Sequence, residues 1–438
     1  GWSGRSEYEY SPGLRGNRGA QVHSTCILGK EGAMKQSRGG VTAAKGFLAS
    51  GVHVGIRKNK EKKDLALIWS EVPCAAAAVY TTNRVKGQTL IVTQEHLADG
   101  RAQAIIVNSG NANTCTGEEG LKAARRMAEL VSQYLPVKTE DVVVASTGVI
   151  GQQLDVSVIE AGMPDLVKGL SKGGSIDARE AIMTTDTMKK EIAVIEELDG
   201  VPVTIGAMAK GSGMIHPNMA TMLCFITTDC AIAEPLLKKA LKEVVRVSFN
   251  RVSVDGDTST NDMVVILANG KANNAYIDKE DDNYSDFRDA LEFVCVELAK
   301  MVARDGEGAT RLIECTVGGA VSEEQAESLA KGIITSSLVK TAMFGADANW
   351  GRILCAMGYT RSDFNPDKVD ISFESPRGYI EVCKGGAPLP FSEERAKKIL
   401  NNQEVEIIVD LHLGEAEVTA WGCDLSYEYV RINGDYRT

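Results

Sequence analysis

The stretch Met208-Ala-Lys-Gly-Ser-Gly-Met-Ile-His-Pro-Asn-Met-Ala-Thr-Met-Leu-Cys-Phe-Ile-Thr-Thr-Asp229 holds three kinds of local order in succession. Gly211 and Gly213 can take backbone angles closed to other residues. Pro217 fixes its own φ and pushes His216 toward extended geometry, while Asn218 favours a turn. From Thr221 the chain becomes an apolar, β-branched run that reads as a largely buried strand ending at Asp229. A glycine loop, a rigid turn and a buried strand thus meet at the Ala220-Thr221 peptide bond, and the small Ala220 leaves that junction open.

The junction has a chemical reading. A threonine hydroxyl is a poor nucleophile unless a base is held beside it. A free α-amine titrates at roughly 7.7–8.0 and can be that base, directly or through one water. Attack of the Thr221 hydroxyl on the Ala220 carbonyl, an N-to-O acyl shift, would cut the chain and create the amine. An ordinary reading competes, because β-branched residues commonly start strands after Pro-Asn turns; spacing by itself favours it. His216, next to Pro217, reads as a turn-shaping residue rather than a base. Gly211 to His216 lacks the last glycine of a dinucleotide fingerprint, and no Walker lysine follows.

Working outward, the pattern is mixed α/β from Gly39 onward. Residues 64–69, 104–107 and 141–145 read as strands. The spacing of Leu121, Ala124, Met127, Ala128, Val131 and Leu135 predicts an amphipathic helix over 118–135. A second helix is expected over 157–170, ended or bent by Pro164. Residues 191–209 read as two strands joined at Asp199-Gly200, a hairpin signal. Further on, 234–247, 284–303, 322–331 and 392–400 read as helices, and 263–267, 312–317 and 404–411 as strands. Strands clustered with helices outside them imply an α/β (α+β) fold, a layered α-β-β-α sandwich.

The chain has 438 residues, 44% of them hydrophobic and only 5% aromatic, with 43 glycines, which suits small-residue packing and many tight turns. Its net charge of −11 argues against nucleic acid as the main partner. No apolar run reaches transmembrane length. The ten cysteines are scattered without a CxxC pair and read as buried free thiols. The five histidines form no HExxH or Cys/His cluster, so no metal is expected. The acid-rich run Val254-Asp-Gly-Asp-Thr-Ser-Thr-Asn-Asp262 lacks the EF-hand glycine and glutamate and reads as a hydrogen-bonded loop buttressing the site. Residues 1–33, rich in Gly, Arg and Ser, are expected to be poorly ordered and remote from the chemistry. Arg and Ser there suit a chloroplast or mitochondrial transit peptide, but Glu7, Glu9 and Glu31 weaken that reading, so the expected compartment is the cytoplasm.

Lys210 to Leu223 resembles the self-processing signature of the ornithine acetyltransferase family, the glutamate N-acetyltransferases of arginine biosynthesis. Other stretches resemble the family in order: Gly39 to Phe47, Asn108 to Asn113, Ser146 to Gly151, Thr184 to Thr187, Val254 to Asp262, Asp305 to Thr310, Asn349 to Arg352, Trp421 to Tyr427 and Arg431 to Thr438. The resemblance implies cleavage at Ala220-Thr221 into an alpha subunit, 34–220, and a beta subunit, 221–438, that stay interlocked, two copies of each forming a heterotetramer. It makes Thr221 the nucleophile. Thr147 and Gly148 match the oxyanion pair; read without it, they are a strand-to-helix turn. Thr184, Lys210, Glu307, Asn433 and the terminal Thr438 match substrate contacts, positions that otherwise read as caps, solvated charges and an exposed loop.

The implied reaction moves acetyl from N-acetylornithine to glutamate through an acetyl-Thr221 ester, with no cofactor. Acetyl-CoA is a second candidate donor, and no residue decides for or against it. Two other readings stand beside this one: a self-processing aminopeptidase or amidohydrolase with the same kind of nucleophile, and a non-catalytic amino-acid-binding module.

Overall fold

The computed structural model describes residues 34–216 and 222–435. The expectations for residues 1–33, Ala220, Thr221 and Thr438 therefore lie outside the described residues.

In chain order come β1 (Lys35–Ser37), β2 (Phe47–Val52), β3 (Leu65–Tyr80), α1 (Gln88–His96), β4 (Arg101–Asn111), α2 (Gly117–Tyr134), β5 (Val142–Val149), α3 (Val156–Lys168) and α4 (Ser175–Ile182). Then follow β6 (Lys190–Leu198), β7 (Val201–Lys210), β8 (Leu223–Thr228), α5 (Glu234–Val247), β9 (Val252–Ser253), β10 (Met263–Ala268) and α6 (Asp282–Arg304). The rest comprises β11 (Leu312–Ala320), α7 (Glu323–Thr335), α8 (Ser337–Phe344), α9 (Trp350–Gly358), β12 (Asp370–Ser375), β13 (Gly378–Lys384), β14 (Ala387–Pro388), α10 (Glu393–Leu400), β15 (Glu404–Asp410), β16 (Ala416–Cys423) and α11 (Tyr427–Asp435).

Nine strands share one hydrogen-bonded sheet, ordered β1-β6-β7-β8-β10-β3-β4-β5 with β2 also on β3. Its shape follows from β3, which is far longer than the expected 64–69. The register between β3 and β4 shifts between Trp69 and Cys74. Before the shift β3 pairs with β2 and β4, and after it chiefly with β10. The sheet thereby folds into two layers. Ile68, Ile105, Val107, Val143 and Ala145 of one layer share a core with Leu223, Phe225, Met263 and Val265 of the other. Outside the first layer, α2 and α3 cover Leu67, Ile106 and Val144. Outside the second, α5 and α6 cover Ile205, Ile226 and Ile266. This is the expected α-β-β-α sandwich.

A second, seven-stranded sheet, β14-β13-β12-β15-β11-β16-β9, went unrecognised in the sequence. Val317, Ile371, Val405 and Val418 on one face pack with residues of α7 to α10, such as Leu329, Val339, Ile353 and Ile399. Core residues of α6 join Leu312 and Trp421 of this sheet to the first body.

Local physics accounts for several elements. Asp199 and Gly200 both take positive φ, 48° and 79°, as a tight hairpin turn requires. Pro164 does not end α3, which runs four residues past it. Pro164 and Glu160 both face solvent, so the carbonyl left without its helical donor can be hydrated while Ile159, Met163 and Leu166 stay buried. Seven of the described cysteines are buried and two, Cys115 and Cys355, are exposed; all are free thiols.

Candidate active site

The site lies where β5 and β7 end, between the two layers. Residues 143 and 145 of β5 point into the inter-layer core, and Thr147 continues that alternation. Met208 of β7 points into the same core, and Lys210 follows it two residues on. The two side chains meet: Lys210 Nζ donates to Thr147 Oγ1 at 3.1 Å. A small cavity there is lined by Thr147, Lys210, Gly213, Met222, Asn261 and Asp262.

Gly148 is held at φ +137°, and a Cβ there would stand 2.3 Å from the Gly110 carbonyl carbon and 2.5 Å from Asn111 N. Only glycine allows β4 this close an approach. Behind Thr147, Asn261 Nδ2 donates to the carbonyls of Ala112 at 2.6 Å and Ser146 at 2.9 Å. Its Oδ1 accepts from Thr114 and Thr260, both at 2.6 Å.

Lys210 belongs to a buried charge network. Asp186 accepts from Gly211 N at 2.7 Å, Thr184 N at 2.9 Å and Lys190 Nζ at 2.7 Å. Lys190, with a fully buried side chain, also pairs with Asp305, which accepts from the backbone of Thr187 and Met188. Burial works to raise the Asp186 carboxyl, but Lys190, Lys210 and the hydrogen bonds overcome it and hold it well below the usual carboxylate range. Burial pushes the Lys210 ammonium down, with Asp186 partly offsetting. Burial raises the Asp262 carboxyl well above its ordinary value.

Glu307 reaches the same region from the end of α6. Its N–H donates to the Ser212 carbonyl at 2.8 Å, and a Cβ on Gly213 would stand 2.3 Å from its carboxylate. Asn433 of α11 donates from Nδ2 to Glu307 Oε2 at 2.7 Å. The Glu307 loop is pinned at one end by Asp305 and at the other by Asp424, which accepts from Thr310 N at 2.8 Å. Asp255 accepts from Met214 N at 2.7 Å and Ile215 N at 2.8 Å, so the 254–262 loop does buttress the glycine segment. His216 shares a 3.1 Å hydrogen bond with Ser253, and burial lowers its pKa.

The structure thus gathers two groups from distant parts of the chain. Thr147, Gly148, Thr184 and Lys210 form one; Glu307 and Asn433 form the other. The backbone of 211–213 joins them. Sequence reasoning missed Asp186, Lys190, Asp305, Asn261 and Asp262 as parts of the site. Four of these stood inside stretches already singled out, Thr184 to Thr187, Val254 to Asp262 and Asp305 to Thr310. Lys190 carried no signal, lying in the polar run Met188-Lys-Lys-Glu. Among the described residues, no group of three His, Cys, Asp or Glu is placed to hold a metal ion.

Fold and site define a layered α-β-β-α protein with a small polar site at one end of its inter-layer core. The chain belongs to the ArgJ family, whose model matches residues 48–438. It is 51% identical over 406 residues to the arginine biosynthesis bifunctional protein ArgJ of Symbiobacterium thermophilum, covering 92% of this chain and all of the relative. A Clostridium acetobutylicum protein described as arginine biosynthesis bifunctional protein ArgJ 1 is 52% identical over 392 residues, 90% of this chain and 96% of its own. A Bacillus halodurans ArgJ crystal structure, 49% identical, covers 48% of this chain and 98% of its own, with a TM-score of 0.46.

Proposed function

We propose that the chain is a self-processing acetyltransferase of arginine biosynthesis that moves acetyl from N-acetylornithine to glutamate. The observation that carries this reading is that Met222, the residue after the Ala220-Thr221 junction, lines the same cavity as Thr147 and Lys210. A nucleophile released at that junction would start beside the Thr147 hydroxyl, suited to a developing oxyanion, and the Lys210 ammonium, suited to a substrate carboxylate. The names of the relatives, arginine biosynthesis bifunctional proteins, support the substrate class.

In the scheme, Thr221 attacks the acetyl carbonyl of N-acetylornithine while its α-amine takes the hydroxyl proton. Thr147 and the Gly148 N–H stabilise the oxyanion. Ornithine leaves with the proton, and the acetyl-Thr221 ester remains. Glutamate attacks the ester carbonyl through its amine, the α-amine of Thr221 passes the amine's proton to the departing hydroxyl oxygen as the carbon–oxygen bond breaks, and N-acetylglutamate and free Thr221 result. Both amino acids use one pocket in turn. Lys210 and Thr184 suit a substrate carboxylate, and Glu307, Asn433 and the terminal Thr438 suit an ammonium. Acetyl-CoA is assigned as a second donor, consistent with the word bifunctional in the relatives' names. Two alpha and two beta subunits in a cytoplasmic heterotetramer complete the proposal.

Mass spectrometry and N-terminal sequencing of the purified protein test it. The expected result is two pieces, one beginning at Thr221, with N-acetylglutamate formed from N-acetylornithine and glutamate. Thr221→Ala is expected to leave one intact, inactive chain. An uncut wild-type chain that still transfers acetyl would sink the nucleophile assignment, and free acetate without N-acetylglutamate would point to a hydrolase.

A further inference from the structure

Self-cleavage leaves one proton without a carrier. In the uncut chain Thr221 has an amide nitrogen, which is not a base, so the α-amine that serves acetyl transfer does not yet exist. Another group must take the hydroxyl proton when the first bond breaks.

Among the described residues the candidate is Asp262. Asp262 is 3% exposed, and its Oδ2 has no hydrogen-bond partner there. Buried polar groups left in that condition are uncommon and call for an explanation. Asp262 lines the cavity shared by Thr147, Lys210 and Met222. β8 and β10 run parallel with Leu223 opposite Met263, and Met263 N donates to the Met222 carbonyl at 2.9 Å. Asp262 and the chain entering at Met222 therefore stand side by side at the same ends of adjacent strands.

The surroundings suit a base. Lys210, on β7, is the opposite charge that acts on Asp262, and Ser259 faces it from its own loop. Tyr80, opposite Met263 on β3, has its phenol pushed up by burial. Burial raises the Asp262 carboxyl beyond what Lys210 and Ser259 offset, and a carboxylate so raised binds a proton more strongly than an ordinary one. Lys210 is already engaged, donating to Thr147.

We propose that Asp262 takes the Thr221 hydroxyl proton during cleavage of the uncut chain; this rests on Thr221 being the residue cut. The hydroxyl oxygen bonds to the Ala220 carbonyl carbon as its proton passes to the Asp262 carboxylate. Asp262 then delivers that proton to the departing nitrogen as the carbon–nitrogen bond breaks, leaving an ester and a free α-amine. Water hydrolyses the ester, releasing the Ala220 carboxylate and restoring the hydroxyl. Asp262 ends as it began, and the new amine is the base for later turnovers.

The sign of the pH dependence follows. Below the raised pKa the carboxyl holds its own proton and cannot accept another, so cleavage quickens as pH rises through that value and then levels off. Cell-free synthesis of the full chain, chased at a series of pH values, reads cleavage directly on a denaturing gel. Asp262→Asn is expected to slow cleavage on the order of 100-fold or more and to abolish the pH dependence. Asp262→Glu restores a carboxyl and is expected to regain pH-dependent cleavage, and thermal unfolding reports whether either variant is folded. The proposal is overturned if Asp262→Asn cleaves at the wild-type rate, if it cleaves slowly with the wild-type pH dependence, or if Asp262→Glu is as slow as Asp262→Asn. Failure of the Thr221 reading is a separate result: wild type uncut, or Thr221→Ala cut normally.

Discussion

Gly148 is the residue whose geometry is least negotiable. Its φ of +137° is one that L side chains rarely adopt, and the space a Cβ needs is filled by β4 backbone, not by a flexible side chain. Relief requires moving β4 or β5, and β5 carries Thr147. Gly148→Ala is therefore expected to cost about 1–3 kcal/mol of stability and to lower kcat for acetyl transfer on the order of 100-fold. A fall in kcat with little change in KM, in protein still folded by thermal unfolding, would place the defect at the oxyanion. Unchanged kinetics would remove Gly148 from that role. Lys190 presents a different residue-scale lesson. Buried between Asp186 and Asp305, it ties the Thr184 to Thr187 loop to the end of α6, which carries Glu307. Its side chain touches neither Lys210 nor Glu307 in any hydrogen bond described above, yet both lie on segments that it fixes.

At the scale of elements, the two layers are clamped beside the site by Asn261. It leads into β10 and hydrogen-bonds across to the chain after β4, through Ala112 and Thr114, and to the Ser146 carbonyl on β5. Asn261→Ala would leave two buried carbonyls and two hydroxyls to find other partners. A loss of about 2 kcal/mol or more is expected, read as a lower urea midpoint, with weakened transfer because Ser146 immediately precedes Thr147. A midpoint equal to wild type would show that water or a neighbour replaces the clamp. Elements with strong local signals were legible before the structure. The Asp199-Gly200 turn gave the β6-β7 hairpin, and the apolar stripe of 118–135 gave α2 to within a residue at each end. The second half of β3 was not, because Ala75-Ala-Ala-Ala78 has no alternation to read. Ala76 faces one core and Ala77 another, so both faces are apolar. Lys190 was silent, and Asp262 was legible only as part of its loop, for a related reason: a charged residue reads as solvated until a distant partner, or the lack of one, is seen. The site positions Thr147, Gly148, Lys210, Glu307 and Asn433 were found through whole-motif resemblance, since none stands out from its own neighbours.

The whole molecule bears on what cutting at Ala220-Thr221 would do. The segment between β7 and β8 connects adjacent antiparallel strands inside the large sheet, with Lys210 opposite Leu223 and Ile205 opposite Thr228. Breaking that connection removes no strand pairing: β8 stays hydrogen-bonded to β7 on one side and to β10 on the other. The piece before the cut depends on the piece after it. Without β8 and β10, β7 loses its partner on one edge and the second half of β3 loses its main partner. Without α5 and α6, the apolar face of Val203, Ile205, Ala207 and Val79 meets water, an exposed hydrophobic surface joined to unpaired strand edges. Residues 34–220 expressed alone are therefore expected to aggregate, while co-expression with 221–438 yields a soluble complex. That complex should elute as one species under native conditions and separate only in denaturant. A soluble, monomeric 34–220 fragment with protected β6-β7 amides in hydrogen exchange would overturn this. It would mean that the first piece folds by itself and that cleavage joins two modules instead of interrupting one sheet.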